Sequence, residues 1–482
     1  MSLFLNIIST VAMSTARTIA RRAPMTGPRM QASAQLGGPE IAVLGGGFGG
    51  LYTALRLRSL DWSGGPIPRV TLIDRNDRFS FSPMLYELAT GTAAAWEVSP
   101  LYESLLEGTD IDFVRGEVVG VDEGERIIRV AAGGLGEHRM LPYDQCVVAF
   151  GAQASGLDRV PGAAEHAQPF YTAADATAVR ERIKELRRNS ERSTLRVAVV
   201  GGGYIGVELA ANLASALPPS ELLLTLVHRS SELLPEGREH SRSQAERRLR
   251  DAGVDVVLRT SVASVGADSL QLLPLDGKTS GDGGGGTRDS GVAAEEAKSS
   301  EDTEAPGYSL PVDLTLWTAG STPAPIVSAL GLPLDSSGRI RVDDTLNVCG
   351  RPRLYALGDA AAVVDAAGNR APPTAQAAMQ QADYAAWNMR SALRGNTPSL
   401  PFRYANLGEM LSLGEDSASV SALGQLVKLS GPLGYASRRV VYAARMPTIK
   451  QAAKVGISWG IDAAFAAARK AVGPPPGGGQ QR

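Results

Sequence analysis

At 482 residues, with a net charge of −2, the chain is long enough for two or three domains and has no basic excess to draw it to nucleic acid. Its two cysteines, Cys146 and Cys349, are far apart in sequence and give neither a C-x-x-C redox pair nor a disulfide framework. The four histidines, His138, His166, His228 and His240, show no metal-ligand spacing, so no metal is expected.

The first 36 residues read as a leader. No acidic residue precedes Glu40, whereas Arg17, Arg21, Arg22 and Arg29 all do, among Ser, Thr and Ala. That is the composition of an organelle transit peptide, and residues 1–36 are expected to lie outside the fold. A secretory signal is the rival reading, but the apolar Leu3 to Ile8 has no basic region before it.

Next comes Ile41-Ala42-Val43-Leu44-Gly45-Gly46-Gly47-Phe48-Gly49-Gly50, a β-branched run ending in G-x-G-x-x-G and passing into an apolar-periodic helix. A second such unit is Val197-Ala198-Val199-Val200-Gly201-Gly202-Gly203-Tyr204-Ile205-Gly206. This arrangement brings backbone N–H groups to a pyrophosphate at a helix N-terminus. With 54 glycines in the chain, about one chance match is expected. Gly281 to Gly286 also fits the pattern, but no strand precedes it and no helix follows. Context sets the first two apart, and two such units point to two dinucleotides passing a hydride or electrons between them.

After the first helix, Val70 to Ile73 forms a strand ending at Asp74, whose carboxylate can accept both hydroxyls of an adenosine ribose. The strand Gln145 to Gly151 closes this half. The second unit interrupts the first and ends with Val312 to Gly320. Within it, residues 276–307 are rich in Gly, Ser and Glu, and read as a disordered insertion. Residues 353 to 359 form a strand delivering Asp359, and Thr374 is placed to cap the helix that follows.

The tail holds two helical stretches, Leu433 to Arg445 and Thr448 to Val472. The second puts Ile449, Ala453, Ile457, Ile461, Ala464, Ala468 and Val472 on one side, with Lys450, Lys454, Arg469 and Lys470 around it. It is too short of apolar residues to span a bilayer. Two placements are open: in a membrane interface, or packed on the protein's own body or a dimer partner.

Taken in order, strand-GGGFGG, Asp74, Phe81-x-Pro83-Met84-Leu85, GGGYIGVE, Gly358-Asp359 and TAQAAMQQ resemble the type II NAD(P)H:quinone oxidoreductases. Pro83 to Leu88 with Trp96-Glu97-Val98, Leu400 to Met410, and Lys454 to Trp459 are similar to their plant and algal plastid C-type branch, the demethylphylloquinone reductases. The resemblance covers residues 39 to 472. It implies an α/β fold of two Rossmann-like domains in a glutathione-reductase-like arrangement, the second inserted in the first. The expected divisions are an FAD-binding domain (37–160 and 340–410), an NAD(P)H-binding domain (161–339), and an amphipathic helical membrane-docking region (411–482).

By the same resemblance, Gly45, Gly47, Phe48, Gly50, Asp74, Pro83, Gly151, Gly358, Asp359, Thr374 and Ala375 would hold FAD. Gly201, Gly203, Tyr204, Ile205, Gly206, Glu208, His228, Arg229 and Gly320 would hold NAD(P)H. Glu208 would lie near the nicotinamide and the flavin edge, and Gln376 and Gln380 would line the quinone pocket; these three are the expected catalytic residues. Gln381 is expected on a solvated helix face. Lys454 and Trp459 would meet the quinone or the membrane. NADH-preferring members end the second strand of the second unit in an acid; here it ends Val227-His228-Arg229. Without that acid a 2′-phosphate is not repelled and Arg229 can pair with it, so NADPH is expected to serve at least as well as NADH.

The activity implied is transfer from NAD(P)H through FAD to a membrane prenylquinone of the demethylphylloquinone or plastoquinone type, without proton pumping. The surface implied is a chloroplast membrane or plastoglobule, with the mitochondrion as alternative and homodimerisation left open. Two other functions stay in view: a soluble reductase of a protein acceptor such as ferredoxin, and a non-catalytic flavoprotein redox sensor.

Overall fold

A computed structural model describes residues 37–131, 138–189, 194–275, 307–395, 397–422 and 426–472, with side chains to 464 in the last helix. The expected leader, and residues 276–306 of the expected insertion, lie outside the described residues.

In chain order, β1 (Glu40–Leu44) turns through the first fingerprint into α1 (Phe48–Ser59), followed by β2 (Arg69–Asp74), α2 (Leu85–Thr90), β3 (Ile111–Arg115) and β4 (Gln145–Val148). The chain then builds β5 (Ala167–Pro169), β6 (Leu195–Val200), α3 (Tyr204–Ala216), β7 (Leu222–Val227), α4 (Glu239–Asp251), β8 (Asp255–Val257) and β9 (Leu314–Trp317). It continues with β10 (Asn347–Val348), β11 (Arg351–Ala356) and α5 (Ala375–Arg394). A meander β12 (Gly408–Ser412), β13 (Ala418–Ala422), β14 (Val427–Leu429) precedes two final helices, α6 (Gly431–Ala444) and α7 (Ile449–Val472).

Two compact units result. One comprises the described residues within Met1–Gln153, Ser321–Leu407 and Tyr435–Arg482; the other comprises Ala154–Gly320 and Gly408–Gly434. The first is built on a sheet of order β10-β11-β4-β1-β2-β3, parallel except for the short β10 edge. The second carries an all-parallel sheet of order β8-β7-β6-β9-β5. Parallel strands need both faces covered, which is why Ile41 to Leu44 and Val197 to Val200 are continuous apolar runs and are buried throughout.

The division differs from the expected one at residues 154–160, which fall in the second unit, at 321–339, which fall in the first, and in the tail. Residues 408–434 belong with the second unit, whereas α6 from Tyr435 and α7 belong with the first. The reason is local packing. β12 sits against α3 through side-chain hydrogen bonds to Asn212 and Glu208. The Arg445 carbonyl, just past α6, accepts from the Tyr52 hydroxyl of α1, and Tyr442 lies edge-on to Phe81.

Candidate functional site: two dinucleotide folds

In the first unit each fingerprint glycine has its own physical reason. Gly45 has φ +96°, and a Cβ there would sit 2.4 Å from the Ala149 carbonyl oxygen. A Cβ on Gly50 would sit 1.8 Å from the Gly45 oxygen, so only glycine lets α1 lie this close to β1. A Cβ on Gly47 would meet nothing within 4 Å: that glycine faces open space. Gly47 is also the N-cap of α1, with no side-chain cap and no acid in the first turn. Free N–H groups, the positive end of the helix and open space together fit an anionic pyrophosphate.

Asp74 stands at the end of β2. Its Oδ2 accepts the Gly46 N–H at 2.6 Å and its Oδ1 accepts the Asn76 N–H at 2.7 Å. Burial raises its pKa, opposed by those hydrogen bonds. Sequence reasoning missed Tyr102, whose hydroxyl donates to the Gly46 carbonyl at 2.9 Å and holds the same loop from below. Phe48 packs its ring against Phe79 and Phe81, with centroids 5.2 and 5.4 Å away. Pro83 opens a short 3-10 turn, Ser82–Met84, leading into α2. Gly151 has φ +67° and open space where a Cβ would be.

Gly358 also has φ +67°, and it begins the turn Gly358–Ala360 that carries Asp359. Thr374 caps α5, its hydroxyl accepting the Ala377 N–H at 3.2 Å, with Ala375 as the first helical residue. Gln376 and Gln380 are both engaged with the segment after the helix. Gln376 Oε1 accepts the Leu407 N–H and the Tyr404 hydroxyl, each at 3.0 Å. Gln380 makes a two-way pair with the Ala405 backbone, both bonds at 2.9 Å. The expectation for Gln381 fails. It is 2% exposed, and its Oε1 accepts the Gly358 N–H at 2.7 Å, because the turn after β11 packs directly on that face of α5.

The second unit repeats the glycine pattern. Gly201 has φ +116°, and its Cβ would lie 2.7 Å from Thr318 Oγ1. Gly206 could take no Cβ, with the Gly201 oxygen at 1.8 Å, and Gly203 faces open space. Gly203 is the N-cap of α3, again with no side-chain cap and no acid in the first turn. His228 stands where Asp74 stands in the first unit: its Nδ1 accepts the Gly202 N–H at 3.1 Å. Burial, and secondarily Arg229, lowers its pKa, which suits a neutral imidazole accepting at Nδ1. Its Nε2 is buried without a hydrogen-bond partner among the described residues, and Arg229 beside it is exposed. Ile205 is partly exposed at the start of α3, and Gly320 has φ +76° with Ser155 Oγ 2.6 Å from where a Cβ would be.

Glu208 is buried, and its Oε1 accepts the Ser412 N–H of β12 at 2.9 Å. Asn212, one turn on, donates to the Glu208 carbonyl at 2.7 Å and to Ser412 Oγ at 3.2 Å. Glu409 accepts from the Tyr204 hydroxyl and the Ser241 hydroxyl, both at 2.5 Å, and from the Arg238 N–H at 3.1 Å. Glu409 and Ser412 were invisible in the sequence: they lie some two hundred residues from the fingerprint they brace.

The tail is anchored by a buried charge cluster. Arg438 is 1% exposed and meets Glu87 Oε1 at 2.5 Å and the Tyr86 hydroxyl. Its guanidinium lies within 5.1–5.6 Å of the ring centroids of Tyr86, Tyr435 and Tyr442. Arg439 reaches Glu87 Oε2 at 3.5 Å and stacks over Trp459 at 4.4 Å. Trp459 thus faces the body of its own unit, while Lys454 is exposed. On α7, Ile449, Ile457 and Ile461 are 67%, 64% and 51% exposed, whereas Gln451 and Val455 turn inward. Among the described residues no helix is long and apolar enough to cross a membrane, and no group of three or more His, Cys, Asp or Glu stands ready for a metal. Cys146 is fully buried, its pKa raised by that burial, and no disulfide joins it to Cys349.

Residues 39–382 match the pyridine nucleotide-disulphide oxidoreductase family. The demethylphylloquinone reductase NdbB of Synechocystis is 38% identical over 87% of this chain and 95% of its own length. The alternative NAD(P)H-ubiquinone oxidoreductase C1, chloroplastic/mitochondrial, of Arabidopsis thaliana is also 38% identical, over 87% of this chain and 80% of its own. Among solved structures, NDH2 from Plasmodium falciparum in complex with NADH superposes with a TM-score of 0.71 at 18% identity, covering 87% of this chain and 97% of that one.

Proposed function

The chain belongs to the pyridine nucleotide-disulphide oxidoreductase family, and within it to the type II NAD(P)H:quinone oxidoreductases, and from that premise we propose how its residues divide the work. It is a flavoprotein carrying electrons from NAD(P)H through FAD to a quinone. In our reading the first fingerprint with Asp74 and Asp359 seats FAD, and the second with Glu208, His228 and Arg229 seats NAD(P)H. The acceptor is a prenylquinone of the demethylphylloquinone type, reached from a chloroplast lipid surface such as a plastoglobule. The observation that carries the two-dinucleotide reading is the paired geometry: Gly47 and Gly203 both face open space at helix N-termini without a side-chain cap.

When bound, FAD supplies the hydride-accepting and electron-donating chemistry; the protein's part is placement and electrostatics. Asp74, already accepting two backbone N–H groups, keeps a carboxylate at the strand end for the ribose hydroxyls. The N-terminus of α5, a 20-residue helix capped by Thr374, would supply a positive helix end to stabilise negative charge on a bound flavin. The disulphide chemistry in the family's name has no counterpart here, since Cys146 and Cys349 form no bridge.

Purified protein should be yellow with non-covalent FAD. Protein that stays colourless, and takes up no FAD on reconstitution, would contradict the assignment of the first fingerprint.

Nucleotide choice rests on His228. A neutral imidazole and an exposed arginine leave room for a 2′-phosphate where an acid would repel it. NADPH should therefore serve at least as well as NADH. His228→Glu should move the kcat/KM ratio toward NADH by about 10- to 100-fold, roughly 1.4–2.8 kcal/mol. A strong NADH preference in the parent enzyme would refute the proposal.

A further inference from the structure

We propose that Gln381 is a positioning residue for the flavin: it ties the Asp359 turn to α5 and thereby sets how tightly FAD is held. This rests on the reading that FAD occupies the first unit.

The turn has a hydrogen-bonding problem that the fold must solve. β11 runs to Ala356, and the Leu357 N–H still finds a strand partner, the Val148 carbonyl at 3.2 Å. Gly358 then turns away with φ +67°, so its N–H leaves the ladder. A shielded N–H without a partner is costly. Gln381 Oε1 accepts it at 2.7 Å.

The glutamine faces the matching problem. It is 2% exposed, and its nearest buried neighbours along α5 are Ala377, Ala378, Ala382 and Ala385. An amide buried among alanines is unfavourable unless it is hydrogen-bonded. The alanines also explain why the approach is possible, since a Cβ on Gly358 would lie only 3.8 Å from the Ala378 Cβ. Gln381 stands less than two turns from the start of the helix, capped by Thr374, whose N-terminus meets FAD in this reading. Asp359 directly follows Gly358. One hydrogen bond thus joins two elements that meet FAD in this reading, the helix N-terminus and the Asp359 carboxylate. Without it the helix still forms and the strand still pairs, but the Gly358 N–H loses its acceptor and the turn that carries Asp359 loses this tie to α5.

The test compares Gln381→Met, which keeps the length and removes the acceptor, with Gln381→Glu, which keeps an acceptor oxygen. FAD dissociation constants and flavin midpoint potentials are measured on the folded protein, beside melting temperatures of apo and FAD-loaded forms. Gln381→Met should weaken FAD binding at least 10-fold and shift the potential, and Gln381→Glu should recover most of the affinity. Should Gln381→Met fail to fold, Gln381→Asn, whose amide is drawn back by one methylene, should show the same loss in smaller measure. If the folded variants bind FAD as the parent does, with apo and loaded forms destabilised equally, Gln381 is only a packing residue and the inference falls. If the parent protein itself takes up no FAD, the assignment of the first unit falls instead.

Discussion

Replacing Glu87 by leucine should cost about 3–5 kcal/mol of stability, because it strips the counter-charge from a buried arginine. Arg438 and Glu87 are 1% and 3% exposed at the side chain, and their ion pair measures 2.5 Å. Burial works against the Arg438 charge, but Tyr86, Glu87 and Tyr442 hold it firmly protonated. The tyrosine faces alone contribute too little to replace a carboxylate, on the order of 0.5–2 kcal/mol each. The double variant Glu87→Leu with Arg438→Met should recover much of the loss, since a packed apolar pair is often no worse than a buried ion pair. Chemical denaturation of the parent, the two single variants and the double variant measures this. A Glu87→Leu protein within about 0.5 kcal/mol of the parent would show that the cluster does not carry the tail.

Ending the chain after Pro447 should release the protein from anionic vesicles and abolish most long-chain quinone reduction, while leaving NADPH oxidation by ferricyanide near its full rate. The cut belongs there and not before α6, because α6 supplies Arg438 and Tyr442 to the interior of its own unit. α7 differs: Ile449, Ile457 and Ile461 point outward, with Lys454 exposed beside them and Lys450 paired to Glu107 at the surface. Burying an exposed isoleucine contributes about 1.5–3 kcal/mol at most, and a basic side chain near an anionic surface about 1 kcal/mol. Three half-exposed isoleucines therefore support at least a ~100-fold change in vesicle partitioning. A truncated protein that still pellets with vesicles and still reduces a long-chain quinone at the parent rate would make α7 a packing or dimer helix.

What could be read from the sequence follows from the range of the physics. The fingerprints were legible because strand, glycine turn and helix are contiguous, and each glycine answers a constraint within a few residues of itself. Asp74 and Thr374 were legible for the same reason: a strand end and a helix start are local positions. Gln381 was misread because helical periodicity cannot reveal that an N–H from Gly358 arrives on its face. Arg438 gave no signal, since an arginine in a basic amphipathic stretch reads as solvated until its partner, Glu87, is brought to it across the fold. The meander from Gly408 was split by sequence order between the FAD-binding domain and the tail, yet its Glu409 and Ser412 brace Tyr204 and Glu208 some two hundred residues away.

The central claim is that electrons pass from NADPH through a flavin held by this chain to a quinone. Stopped-flow absorbance of the purified, FAD-loaded protein tests it most directly. Mixing with NADPH without oxygen should bleach the flavin's visible band, and a second mix with a short-chain quinone should restore it fully, over repeated cycles. A flavin that NADPH and NADH both leave unbleached, or one that is bleached but is reoxidised by ferredoxin and not by quinone, would contradict the account.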